Sequence, residues 1–171
     1  MADVLTHVLA GYVIGMLLAF RYEWIRAPQV TLVMFGALSP DLVKVSIVLD
    51  DATVASLLGV PFSWQPLHTL GGNLVVILLA VLLLAPEYRK RAFLLLVVGA
   101  ASHHVLDLLL LNASGYAYPV LWPLTEYSPR AGMLYRSSDR WPLVVAGLAA
   151  AVVWAGHRYS RRDAGSTVAG D

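Results

Sequence analysis

Five apolar runs, at residues 5–20, 27–49, 68–85, 92–111 and 141–156, divide the chain, and the segments between them hold most of its charge. Each run is roughly 16–23 residues long, which suits a hydrocarbon core of about 30 Å at about 1.5 Å of helix per residue. A soluble domain is about half apolar and a quarter charged. Here 58% of the 171 residues are hydrophobic and 13% charged, with mean hydropathy +0.69. The expectation is an all-α, polytopic membrane bundle of about five transmembrane helices. It forms one domain over 1–158, built as two tandem helical hairpins (5–49 and 66–111), an outer loop (112–140) and a last helix (141–157). Residues 159–171 are expected to be a disordered cytoplasmic tail. A net charge of +1 excludes a strongly basic nucleic-acid binder, so no nucleic acid is expected as a partner. With no cysteine, disulfide scaffolds, thiolate zinc sites and cysteine nucleophiles are excluded too.

The first run is expected to be a retained helix. Met1-Ala2-Asp3 places no positive charge ahead of it, and Ala19-Phe20-Arg21 is a poor cleavage site. Five spans put Arg21 and Arg26, then Arg89, Lys90 and Arg91, then Arg158, Arg161 and Arg162 on one side. The positive-inside rule makes that side cytoplasmic and the amino end external, in a multi-pass protein of the plasma membrane. The long outer loop carries Tyr116, Tyr118, Trp122, Tyr127 and Tyr135. Two roles stay open for it: an interfacial aromatic belt, or a cover over a substrate.

Residues 7–19 align with 68–80 at an offset of 61, sharing a histidine, a leucine, a glycine and a closing Leu-Leu-Ala. Gly36-Ala37-Leu38-Ser39 aligns with Gly99-Ala100-Ala101-Ser102 at an offset of 63. This reads as duplication of a helical hairpin, with a pseudo-two-fold axis along the membrane normal.

Ionisable residues inside a bilayer are costly and mark function by default. His7 and His68 open runs that enter from the outer side, and His103, His104 and Asp107 close a run that leaves there. Asp41 follows Ser39-Pro40 about eight residues, roughly 12 Å of helix, from the outer end of its run. Four segments thus bring ionisable groups to one depth. His103 and Asp107 stand four apart, on one face of a helix. Imidazole with carboxylate suits a divalent ion, zinc foremost, with manganese or iron as alternatives. The metal-ligand candidates are His7, Asp41, His68, His103 and Asp107. Each has a plainer alternative. His7 and His68 suit a helix start or the interface, and Asp41 suits a helix cap or an ion pair with Lys44. His104 projects about 100° away from His103, so one of the two is expected to ligate. Asn73 and Ser102 are read as supporting hydrogen-bond partners or small packing residues, and His157 as part of a solvated basic tail. No P-loop, dinucleotide fingerprint, His-Glu-x-x-His or Gly-x-Ser-x-Gly motif is present.

These residues resemble a family of membrane-bound metal-dependent hydrolases, also described as LexA-binding inner-membrane hydrolases, over residues 5–128. Thr6-His7 matches its opening motif. Leu38-Ser39-Pro40-Asp41-Leu42-Val43 matches Leu-x-Pro-Asp-x-Asp, with Val43 in place of the second aspartate. Pro66-Leu67-His68-Thr69 keeps the last histidine of His-Arg-Gly-x-Thr-His, with Ser63 in place of the first. Ser102-His103 and Asp107 match Ser-His-x-x-x-Asp, and Leu121-Trp122-Pro123-Leu124 matches a Trp-Pro-Phe element. The resemblance implies a hydrolase with His103 and Asp107 as catalytic residues, Asp107 either ligating or positioning a water. The retained set is enough for one metal. Depth suggests a lipid or lipid-linked ester or phosphoester as substrate. Two other classes stay open: a metal-ion or proton transporter, and a degenerate relative serving as a membrane scaffold. The LexA association does not transfer to a chain with no DNA-facing feature.

Overall fold

The computed structural model describes residues 3–168. Its helices are α1 (Val4–Arg21), α2 (Ala27–Leu38), α3 (Asp51–Leu58), α4 (Leu70–Leu82), α5 (Pro86–Leu108) and α6 (Trp141–Val168), with 3₁₀ turns at Ser39–Ile47 and Gln65–His68. Among the described residues there is no strand, and only two isolated bridges join loop segments. The protein is an all-helical membrane bundle.

The element ends follow from local chemistry. Asp3, Asp50 and Thr69 accept backbone N–H bonds at the starts of α1, α3 and α4. Gly59 ends α3 with φ +69°. Arg89 in the first turn of α5 reaches back to the carbonyls of Leu84 and Leu82, closing the α4–α5 turn. The second run breaks where proline interrupts it. Pro40 has no N–H to offer the preceding turn, and the chain continues as 3₁₀ turns.

Two helices differ from expectation. The third run yields α4, whose 13 residues span only about 20 Å. Thr69 is extended and caps the helix, so His68 lies on the preceding 3₁₀ turn instead of opening the span. Among the described residues, four segments are long and apolar enough to cross a membrane: Val4–Arg21, Ala27–Ile47, Pro86–Leu108 and Trp141–Ser160. The last helix continues beyond the expected span of 141–157 to Val168, and residues 169–171 of the expected tail lie outside the described residues.

α2 sits at the centre, packed on α1 and α5; α6 packs on α1, and α4 on α5. The α2–α5 contact is close because glycine faces backbone. A Cβ on Gly36 would meet the backbone of Leu96, and one on Gly99 would meet the Val33 carbonyl and the Ala37 nitrogen. Those contacts are reciprocal at the offset of 63 that relates the two Gly-Ala-x-Ser stretches. The loop 112–140 folds back over this end of the bundle. It supplies the Val120 and Trp122 carbonyls to the first N–H groups of α4, and the Gly132 and Leu134 N–H groups to the last carbonyls of α5.

Burial is inverted relative to a soluble protein. Leu17, Phe35, Leu79, Leu94 and Val152 face outward, while His7, Asp41, His68, Asn73, His103, His104 and Asp107 are buried. Hydrocarbon is the solvent that makes this arrangement favourable.

Candidate metal centre

The proline break builds the site. Where the helical ladder lapses, carbonyls are released, and side chains from three elements answer them. Ser39 Oγ donates to Gly36 O at 2.8 Å, His103 Nδ1 to Ala37 O at 2.8 Å, and His68 Nδ1 to Pro40 O at 3.2 Å. A carbonyl only accepts, so Nδ1 carries the proton in both histidines. Nε2 is then the nitrogen turned toward the cluster, the second-sphere arrangement that orients ligating imidazoles.

Asp107 lies at the centre of these groups. Its Oδ2 is 2.9 Å from His68 Nε2 and 3.5 Å from His103 Nε2, and its Oδ1 is 3.3 Å from His7 Nε2. The His7 ring stacks on His103 with centroids 3.8 Å apart. Ligand atoms of His7, His103 and Asp107 all lie within 4.8 Å of one another, and so do those of Asp41, His68 and His103. Both ring nitrogens of His7, Nε2 of His103 and Oδ1 of Asp41 are buried without a hydrogen-bond partner. A neutral imidazole that already donates through Nδ1 presents only a lone pair at Nε2, and a carboxylate presents only lone pairs. Their convergence is coherent when positive charge lies between them, which a divalent cation supplies. The donor set, imidazole nitrogen with carboxylate oxygen, fits such an ion. His/Asp groups able to hold a metal are therefore present, and all five candidates from the sequence stand in one of the two overlapping triads.

The remaining candidates fall elsewhere. His104, outside both triads, is hydrogen-bonded through Nδ1 to the Tyr118 hydroxyl at 2.8 Å. Asn73 donates to Ser39 Oγ at 2.9 Å and so ties α4 to the end of α2. Ser102 bonds back to the Gly99 carbonyl at 2.6 Å. His157 packs edge-on against Phe20 at 5.3 Å, at the opposite end of the bundle. Ser63 bonds Asp51 at 2.9 Å, and Val43 lines a cleft beside the cluster.

Two further residues join the site, Lys44 in the ion pair offered above as the plainer role of Asp41, and Tyr118, which was not foreseen. Lys44 Nζ lies 2.9 Å from Asp41 Oδ2, three residues along the same segment. Tyr118 had no signal beyond belonging to an aromatic loop. Burial, reinforced by the Asp107 and Asp41 carboxylates, pushes its hydroxyl well above the usual phenol range, so it stays protonated. Tyr135, in the same loop, is pushed up to about 12 by burial with a further contribution from Asp107, and donates to Leu106 O at 2.8 Å.

A cleft of about 380 Å³ opens beside His68 and Asp107, with Lys44, Gln65, Asn112 and Tyr118 among its walls. A second, of about 420 Å³, lies across His68 and Tyr118 toward Trp122. The site therefore has room for a small polar group next to the ligand cluster.

No match was found among curated proteins or among solved structures. The model of the YdjM inner membrane protein family matches residues 1–168, and the chain belongs to that family.

Proposed function

We propose that this protein is a membrane-embedded, metal-dependent hydrolase acting on a lipid or lipid-linked ester or phosphoester. One observation carries the reading: three buried imidazoles, two of them aimed by backbone carbonyls, converge with Asp107 beside an open cleft. His7, Asp41, His68 and His103 would hold the ion, with Asp107 as a further ligand or as the base beside it. Zinc is the first choice, with manganese and iron as alternatives. A divalent cation there supplies Lewis acidity, which polarises the scissile bond and makes water nucleophilic near neutral pH.

The chain's own groups do the rest. Asp107, placed beside the ligand cluster, would orient the attacking water and take its proton. Water oxygen would add to the phosphorus or acyl carbon, the P–O or C–O bond to the leaving alkoxide would break, and Asp107 would return the proton to that oxygen. The loop 112–140, held to α4 and α5 by backbone bonds, limits water around the cluster. Ile47, which lines the cleft and is 82% exposed, gives it a hydrocarbon-facing rim across which a lipid enters laterally.

The basic end, with Arg21, Arg26, Arg89, Lys90, Arg91 and Arg158, is assigned to the cytoplasm and the cluster to the outer leaflet. Cysteine introduced at Ser114 should then be labelled from outside, and cysteine introduced at Ser160 should not. A transporter fits less well, because the half of the bundle away from the cluster is filled by Val30, Val33, Ile77, Val81 and Leu95. The deciding experiment compares metal content and hydrolysis of phospholipid and phosphoester substrates for the full chain, His103→Ala and Asp107→Ala. Stoichiometric metal in the wild type alone, with hydrolysis, is expected. A wild type that never holds metal overturns the reading; metal without hydrolysis favours a scaffold.

A further inference from the structure

The cleft beside His68 and Asp107 carries a single Lys or Arg among the residues that line it, Lys44. Its ammonium lies 2.9 Å from Asp41 Oδ2, and its side chain is 29% exposed, so it reaches from the buried cluster to the open space. A lysine is a poor neighbour for a site that holds a cation, because the two like charges repel. A divalent ion and Lys44 would carry three positive charges against the two carboxylates of Asp41 and Asp107, one positive charge in excess. Near a low-dielectric interior, such an excess is costly until an anion offsets it.

The rest of the cleft states what kind of anion. Gln65, Asn112 and Tyr118 add hydrogen-bonding groups to its wall, while Ile47, 82% exposed, and Val43 form an apolar side. We infer that Lys44 is an anion-recognition residue, and that the cleft selects the phosphate group of a lipid phosphoester over a neutral ester. The phosphate sits between Lys44 and the ligand cluster, and the acyl part lies along Ile47. This rests on the metal-centre reading above and narrows its substrate class. If Lys44 served only to neutralise Asp41, its removal would change the metal and leave anion binding untouched.

The test uses the full chain, zinc-loaded, in phosphate-free maltoside micelles. The probes are inorganic phosphate, a non-hydrolysable phosphonate analogue of short-chain phosphatidic acid, and the matching diacylglycerol. Affinity is read by calorimetry and metal content by elemental analysis. The wild type should bind the phosphonate lipid, bind inorganic phosphate more weakly, and ignore the diacylglycerol. Lys44→Met should weaken phosphonate binding roughly tenfold or more, the scale of one charge-assisted hydrogen bond, with metal content unchanged. Lys44→Arg should retain most of the affinity, which separates charge recognition from misfolding. Equal affinity for inorganic phosphate and the phosphonate lipid overturns the lipid assignment. Unchanged affinity in Lys44→Met, or a metal-bearing wild type that binds neither phosphorus probe, overturns the inference while the metal centre stands. A wild type without metal fails at the earlier step, and the inference falls with it.

Discussion

His7, His68, His103 and Asp107 are buried against one another at one end of the bundle, whereas Arg21, Arg91 and Arg158 at the other end lie 5.5, 5.0 and 5.2 Å from the ring centres of Tyr22, Trp24 and Trp154. Ionisable side chains are used at both ends, with opposite energetic consequences. An exposed guanidinium over a ring keeps its water and gains about 0.5–1 kcal/mol. Replacing it removes little, because interfacial water and headgroups take its place. In the buried cluster each group answers another, and removing one leaves its neighbours without solvent or partner. The basic end keeps its solvent, whereas the groups at the histidine end depend on one another.

Substitutions can break that contrast or sharpen it. The largest effect is expected for Asp107→Ala, which removes the carboxylate that three imidazoles face. Stoichiometric metal should be lost and hydrolysis should fall roughly 10²-fold or more, as read by elemental analysis and phosphoester turnover. Gly99→Val comes next. Its side chain would enter the backbone of α2 at Val33 and Ala37, forcing apart the helices that carry Pro40 and His103. A loss of about 3 kcal/mol in denaturant unfolding is expected, with weakened metal binding alongside.

Tyr118→Phe should cost less, about 1–2 kcal/mol, by leaving His104 Nδ1 buried without its partner. It should also loosen the loop 112–140, measurable as faster amide exchange at Leu70 and Gly71, whose N–H groups donate to the Val120 and Trp122 carbonyls. The smallest effect is expected for Arg91→Ala, below about 1 kcal/mol with metal content unchanged. Metal loss on removal of Arg91 would show that the two ends are not independent, and the contrast would fail.

Much of the site was readable because depth in a membrane is a linear property of the chain. Counting residues from the ends of apolar runs put His7, Asp41, His68, His103 and Asp107 at one level. The shortness of α4 was less readable. An aliphatic run gives no sign of where its helix starts, and Thr69 moved that start past His68 by adopting an extended conformation and capping Gly72. The role of Tyr118 could not be read either, because a 29-residue loop (112–140) has no periodicity from which a side chain's direction follows.

The sequence by itself determined that this chain is a helical membrane protein with misplaced charges at one depth, since hydropathy and helical rise are local properties. Tertiary structure decided which atoms meet. The glycine contact between α2 and α5 brings His103 within reach of the Ala37 carbonyl, and that bond selects the ring nitrogen facing Asp107. His104, the next residue, turns to a loop tyrosine instead. Neighbours in sequence are separated by about 100° of helix rotation, and only packing decides what each direction finds.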